Sequence, residues 1–144
     1  DATAYAQQHG ADACLLLRGD RVLDGDRCTP LILMPDGSTV IHPPEALGAV
    51  HSVTLSLIEA ALGDAGFKLK EALAPLAAVY EAIEVLLLGS GAGVRQVQSV
   101  EGQAVGSGQK LFQAATSALE AARRWQGLGS SVEANELPRR WALP

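Results

Sequence analysis

A short apolar run that ends in glycines constrains this 144-residue chain more than any other segment. Val85 to Leu88 is continuous hydrophobic sequence, and the glycine-rich residues 89–93, Gly-Ser-Gly-Ala-Gly, follow it at once. An unbroken run of branched apolar residues closed by a turn signal is typical of a strand that is buried on both faces. The segment therefore predicts a buried strand that leads into a sharp backbone turn.

Two hairpins are predicted before this strand, and helices are predicted on either side of it. The hairpin turns are residues 18–20, Arg-Gly-Asp, and residues 35–38, Pro-Asp-Gly-Ser. Apolar residues at helical spacing predict helices over residues 53–62, 71–81 and 111–125, and a shorter strand over residues 94–100. This order of elements predicts an α+β fold with a curled, mostly antiparallel sheet.

Charge, apolar run length and metal-ligand spacing exclude several classes of protein. The formal net charge is -5 and the basic residues form no stripe, so nucleic acid is not an expected partner. No apolar run approaches the roughly 20 residues of a bilayer-spanning helix, so no membrane partner is expected. Cys14 and Cys28 are too few for a disulfide framework, and His9, His42 and His51 lack metal-ligand spacing. We expect a cytoplasmic protein without a metal site.

The glycine-rich segment has three interpretations. Its glycines would let backbone N–H groups converge on an anion, which favours a phosphate site. A Walker A loop does not fit, because Val94 and Arg95 follow where Lys and Ser or Thr are needed. A dinucleotide-binding loop fits poorly, because Val94 replaces its third glycine and a strand is predicted to follow. A tight turn without any ligand stays open as the third interpretation.

The order of several motifs carries more information than any one of them. The glycine-rich segment is followed by residues 97–106, Val-Gln-Ser-Val-Glu-Gly-Gln-Ala-Val-Gly, and is preceded by residues 21–25 and 42–44, Arg-Val-Leu-Asp-Gly and His-Pro-Pro. In sequence and spacing they resemble the C-terminal domain of class IV aminotransferases, the fold-type IV pyridoxal-phosphate enzymes. The resemblance implies a cofactor-binding domain over residues 1–128 and a C-terminal tail over residues 129–144.

The resemblance also implies a site for pyridoxal 5′-phosphate. In the family, a glycine-rich turn and a helix N-terminus hold the phosphate, and an acid faces the pyridine nitrogen. The matching residues of this chain are Asp24, Val50, His51, Ser90, Gly91 and Ala92. Two of these matches depart from the family pattern. Asp24 is one methylene shorter than the family's glutamate, and His51 or Ser52 stands where a Gly-Ile-Thr-Arg-like motif supplies a hydroxyl.

The family's Schiff-base lysine has no match in this chain. The resemblance places that lysine and the N-terminal domain ahead of Asp1, while Lys68, Lys70 and Lys110 are expected on solvated surface. No catalytic residue is therefore expected within the chain, and no turnover by the chain alone. It is either a fragment of a longer enzyme or a stand-alone degenerate domain.

The implied activity is transfer of an amino group between an amino acid and a 2-oxo acid. The small residues of the glycine-rich segment make branched-chain transaminases the best match, with aminodeoxychorismate lyase chemistry as a close alternative. A non-catalytic binding or dimerisation module of the same fold is the alternative from another class. Because relatives are typically homodimers, the resemblance also implies a homodimer.

Overall fold

The computed structural model describes residues 1–49, 52–89, 91 and 93–136, with side chains as far as Trp125. The helices are α1 (Ala2–Gln8), α2 (Val53–Asp64), α3 (Leu76–Glu81) and α4 (Lys110–Glu136), with a 3₁₀ turn at Glu45–Leu47. The strands are β1 (Leu15–Arg18), β2 (Arg21–Gly25), β3 (Thr29–Leu33), β4 (Thr39–His42), β5 (Lys68–Glu71), β6 (Glu84–Gly89), β7 (Gly93–Gln96), β8 (Ser99–Val100) and β9 (Gln103–Ala104). None of these helices combines the length and apolarity needed to cross a bilayer.

A five-stranded sheet in the order β5-β4-β3-β6-β7 forms the centre of the fold. Its two innermost strands, β3 and β6, pair antiparallel with Thr29 opposite Leu88 and Leu33 opposite Glu84. The predicted strand after residue 84 is therefore confirmed, and its apolar run is explained by burial on both faces. Two smaller hairpins, β1–β2 and β8–β9, complete a mostly antiparallel α+β fold, as predicted.

Each face of the sheet is covered by its own hydrophobic core. One core lies between the sheet and helices α2 and α4, where Ile58, Leu86 and Leu111 are fully buried. The second core lies on the opposite face, where Val79 of α3 packs with Val22 and Val85. Burying one such aliphatic side chain contributes about 1.5–3 kcal/mol. The two cores together bury the central strands β3 and β6 on both faces.

The prediction of a helix over residues 71–81 is wrong in its first half. Residues Lys68–Glu71 form the edge strand β5, which pairs parallel to β4, and the helix begins only at Leu76. Pro75 has an extended backbone (φ -63°, ψ 148°) and stands at the N-cap of α3. Lys68 and Lys70 therefore lie on an exposed sheet edge, where charged side chains hinder pairing with another strand.

Two other predicted boundaries also change. The strand expected over residues 94–100 is two strands, β7 and β8, and β8 turns back into β9 through Glu101 (φ 51°) and Gly102 (φ 77°). The last helix, expected over residues 111–125, runs from Lys110 to Glu136. Pro138 and Trp141 of the predicted tail lie outside the described residues.

Candidate functional site

A cleft of about 230 Å³ lies at one end of the central sheet. It forms where β6 ends, because Thr29 at the start of β3 pairs with Leu88 there and the first turn of α2 lies beside them. The connection between β2 and β3 closes the remaining side. The lining residues are Asp24, Gly25, Arg27, Cys28, Thr29, Ser52, Val53, Thr54, Leu88 and Gly89.

The N-terminus of α2 gives this cleft hydrogen-bond donors. Ser52 is the N-cap residue, and its Oγ accepts the backbone N–H of Leu55 at 3.0 Å. Within the described residues, the first-turn N–H groups of Val53 and Thr54 have no hydrogen-bond partner. Such N–H groups carry the positive end of the helix dipole, so an anion is stabilised beside them.

Asp24 supplies the negative charge of the cleft. Its side chain is 5% exposed, and one carboxylate oxygen accepts the backbone N–H of Gly25 at 2.9 Å. Asp24 takes part in a further interaction besides this bond, and an ionised carboxylate has about four acceptor sites on its two oxygens. The carboxylate can accept a further hydrogen bond from a protonated ring nitrogen.

The turn between β2 and β3 is fixed by contacts to both sides. The N–H of Gly25 donates to the carbonyl of Cys28 at 3.2 Å, and a Cβ added at Gly25 would lie 2.6 Å from the Cys28 Sγ. The Asp26 carboxylate accepts the N–H of Cys14 at 2.6 Å and the hydroxyl of Thr3 at 3.1 Å. Gly25 is therefore required by close approach, and the turn is tied to the segments around α1 and β1.

The structure places only part of the predicted site. Asp24 lines the cleft, whereas Gly91 is exposed and is not a lining residue. The other predicted contacts, Val50, His51, Ser90 and Ala92, lie outside the described residues. The described residues next to them, Ser52 and Gly89, line the same cleft as Asp24.

Several lining residues were not predicted. Thr54 and Thr29 are buried beside the cleft, and Arg27 is exposed at its edge. A serine directly before an apolar helical pattern is an N-cap signal, so the start of α2 at Ser52 could have been identified from the sequence. Nothing local marks Thr29 or Arg27 as neighbours of that helix, because the strand pairing that brings them there is long-range.

The cleft fits pyridoxal 5′-phosphate in part. The N–H groups of Val53 and Thr54, without a partner in the described part of the chain, suit a phosphate, and the buried Asp24 carboxylate suits a protonated ring nitrogen. No lysine of the described chain lines the cleft: Lys68 and Lys70 lie in β5, and Lys110 begins α4. No group of three or more His, Cys, Asp or Glu side chains in the same part of the chain could hold a metal ion.

The Cys28 thiol at the edge of the cleft is expected to alkylate slowly. Burial, with the nearby Asp26 and Asp24 carboxylates, raises its pKa to about 11. Relative to an ordinary cysteine pKa of 9.0, the thiolate fraction at pH 8 falls roughly 90-fold, and the greater nucleophilicity of a more basic thiolate recovers about eightfold of this. In a Cys14→Ser background, we expect iodoacetamide to react about tenfold more slowly with Cys28 in the folded chain than in denaturant. Equal rates in both states would contradict the raised pKa.

The mostly antiparallel α+β fold is that of fold-type IV aminotransferases. The chain belongs to the class IV aminotransferase family, whose model, described as amino-transferase class IV, matches residues 2–100. A branched-chain-amino-acid aminotransferase of Pseudomonas aeruginosa is 28% identical over 101 residues, which are 70% of this chain and 32% of that protein.

Solved structures show the same fold. The branched-chain amino acid aminotransferase of Escherichia coli superposes with a TM-score of 0.72 at 21% identity, over 78% of this chain and 39% of that one. A hypothetical aminotransferase of Mycobacterium tuberculosis, in its alpha-ketoglutarate and PMP bound form, gives a TM-score of 0.74 at 17% identity, over 83% and 42% of the two chains. The chain thus spans between a third and about two fifths of the length of these relatives.

Proposed function

We propose that this chain is the cofactor-binding domain of a class IV aminotransferase and that its cleft binds pyridoxal 5′-phosphate. One observation carries the proposal: the Val53 and Thr54 N–H groups, which have no partner among the described residues, and the buried Asp24 carboxylate line one cleft at the glycine end of β6. An anion-binding group and a carboxylate in one cleft match the two polar ends of a phosphorylated pyridine.

Each wall has a separate role in this proposal. The first turn of α2 binds the phosphate through backbone N–H groups, together with the hydroxyl of Ser52. We propose that the residues before α2 and the glycine-rich segment add the contacts that the sequence predicts for Val50, His51, Ser90 and Ala92, without Gly91, which does not line the cleft. Asp24 accepts the ring N–H and keeps that nitrogen protonated. When bound, the cofactor supplies an electron sink for a substrate carbanion.

The proposed reaction is transfer of an amino group between an amino acid and a 2-oxo acid. It is supported by the branched-chain-amino-acid aminotransferase from Pseudomonas aeruginosa and by the Mycobacterium structure that holds alpha-ketoglutarate and PMP. Because no described lysine lines the cleft, the proposed enzyme draws its lysine from another part of a longer protein. We propose residues 1–128 as the domain, a homodimer as the assembly, and no turnover by these 144 residues alone.

The absence of a lysine from the described lining also favours a second candidate, a non-catalytic module that keeps the fold. In that module the cleft would bind phosphate alone or no ligand at all, and the chain would serve to associate with a second copy. The two candidates differ in whether pyridoxal 5′-phosphate contacts Asp24 as well as the phosphate-binding start of α2.

Titration with pyridoxal 5′-phosphate tests the proposal. We expect reversible binding that dialysis removes, that borohydride does not fix to the chain, and that pyridoxine 5′-phosphate displaces. Replacing Asp24 by Asn keeps the shape of the side chain but removes its charge, so we expect about tenfold weaker binding or more. Asp20→Asn, in the exposed β1–β2 turn, is the matched control and should bind as the unchanged chain does. No binding, or equal binding by both variants, would contradict the proposed site.

A further inference from the structure

The backbone of Arg27 lies in a conformation that arginine rarely adopts. Its φ is 59°, inside the left-handed region, and it occupies the third position of the turn from Gly25 to Cys28. Glycine reaches this region without steric cost, whereas any side chain with a Cβ is strained there. Backbone strain of this kind concentrates at functional sites, where a side chain does something that glycine cannot do.

Among the described residues, the Arg27 side chain has no partner that would explain its strained backbone. It is exposed, and in the described part of the chain it forms no hydrogen bond or ion pair. The adjacent Asp26 carboxylate is engaged elsewhere, since it accepts the N–H of Cys14 and the hydroxyl of Thr3. Arg27 is therefore not held in the turn by a salt bridge with its neighbour.

Its position gives the side chain a different use. Arg27 lines the cleft, and it is the one lysine or arginine among the described lining residues. The same cleft holds the Asp24 carboxylate, which repels an incoming anion, and the first turn of α2, whose dipole attracts one. A helix terminus carries about half of an elementary charge, so it offsets Asp24 only in part, and a further cation nearby would stabilise a phosphate dianion in this cleft.

We propose that Arg27 is a phosphate-binding residue of this cleft, acting with the N–H groups of Val53 and Thr54 on the phosphate of the bound ligand. The inference rests on the proposed function, because it takes the phosphate to lie at the start of α2. A guanidinium binds phosphate through two parallel N–H donors, and its exposure here leaves the side chain free to turn into the cleft when the ligand arrives. The strained turn thus places a cation where glycine would place none.

Calorimetric titration of the 144-residue chain tests this role, with pyridoxal 5′-phosphate, pyridoxal and inorganic phosphate as separate ligands. For Arg27→Gly we expect about 10- to 100-fold weaker binding of pyridoxal 5′-phosphate and weaker binding of inorganic phosphate, because a charge-assisted hydrogen-bond pair is lost. Binding of pyridoxal, which has no phosphate, should not change. Arg27→Lys keeps the charge without the paired donors, so its affinity for pyridoxal 5′-phosphate should lie between those of the unchanged chain and Arg27→Gly.

A matched control separates this loss from relief of backbone strain. Glu101, in the β8–β9 turn, is the other described non-glycine residue with positive φ, and Glu101→Gly should relieve similar strain without touching the cleft. Both glycine variants should melt at or above the temperature of the unchanged chain, but only Arg27→Gly should weaken phosphate binding. If Arg27→Gly does not fold, Arg27→Gln removes the charge instead.

The possible results distinguish the two proposals. If the unchanged chain binds pyridoxal 5′-phosphate and Arg27→Gly binds it within about twofold, Arg27 has no role in the site while the proposed function stands. If Arg27→Gly loses affinity for pyridoxal, or for a 2-oxo acid but not for phosphate, its partner is another part of the ligand and the inference is wrong. If the unchanged chain binds no phosphorylated ligand, the proposed function fails and the role of Arg27 fails with it.

Discussion

Replacing Glu84 by Ala is expected to lower the free energy of unfolding by about 3–5 kcal/mol, a large fraction of the stability of a small domain. The Glu84 side chain is fully buried at the start of β6. One carboxylate oxygen accepts the N–H of Leu111 at 2.7 Å and the other accepts the N–H of Phe112 at 2.9 Å. Both N–H groups belong to the first turn of α4, so Ala would leave them buried and unpaired beside a cavity.

The carboxylate caps α4 from another element rather than from its own N-terminus. Its charge lies at the positive end of the α4 dipole, and its bonds join that helix to the strand that ends at the glycine side of the cleft. We expect urea denaturation to show the loss as a lower midpoint with an unchanged slope. Gln at this position can accept only through one oxygen, so Glu84→Gln should lose about half as much.

A matched control is available on the same helix. Glu120 lies on the exposed side of α4, and Glu120→Ala should change the stability by no more than about 0.5 kcal/mol. If Glu84→Ala were as mild as Glu120→Ala, the carboxylate would not be holding the start of α4, and the N–H groups of Leu111 and Phe112 would have to find other acceptors.

The parts of the fold that local sequence determines were predictable. The hairpin turn at residues 35–38 is an example, because the Asp36 carboxylate accepts the N–H groups of Ser38 and Thr39 and these bonds, with the Thr39 hydroxyl, lower its pKa to about 2. The buried strand β6 is another, because both of its faces meet a hydrophobic core. In both cases, the residues that determine the structure lie within a few positions of one another in the sequence.

The error over residues 71–81 has a different origin. In Lys68–Glu71, charged residues flank one half-buried leucine, a pattern that short helices and edge strands share. Its pairing partner is β4, and the 25 residues between His42 and Lys68, which include α2, separate the two strands. A parallel partner separated by a helix leaves no local mark in the sequence.

The candidate site divides in the same way. Asp24 could be identified because its motif resembles a known family, and the start of α2 because serine precedes an apolar helical pattern. The contribution of Arg27 could not be predicted, since the sequence Asp-Arg contains no glycine to mark a left-handed turn position. Only the backbone angle and the cleft together identify this residue.

Replacing Gly106 by Ala is expected to lower the free energy of unfolding by about 3 kcal/mol. A Cβ at Gly106 would overlap the carbonyl oxygens of Ala82 and Ile83, which are backbone atoms and cannot rotate away as a side chain could. The segment is held against that backbone, because the N–H of Gly108 donates to the Ile83 carbonyl at 3.1 Å. The added methyl group would push residues 106–108 away from this backbone, and these residues lie just before α4, whose first turn Glu84 caps.

Gly91→Ala is the control for this substitution. A Cβ at Gly91 would meet nothing within 4 Å, and its backbone is not in the left-handed region, so we expect a change of no more than about 0.5 kcal/mol. Because the packing of residues 106–108 positions the start of α4, Gly106→Ala should also weaken the coupling to Glu84. The double variant with Glu84→Ala should therefore lose less stability than the sum of the two single-variant losses, by about 0.5 kcal/mol or more. Full additivity would mean that Gly106 acts on α3 and β6 alone and leaves the cap of α4 in place.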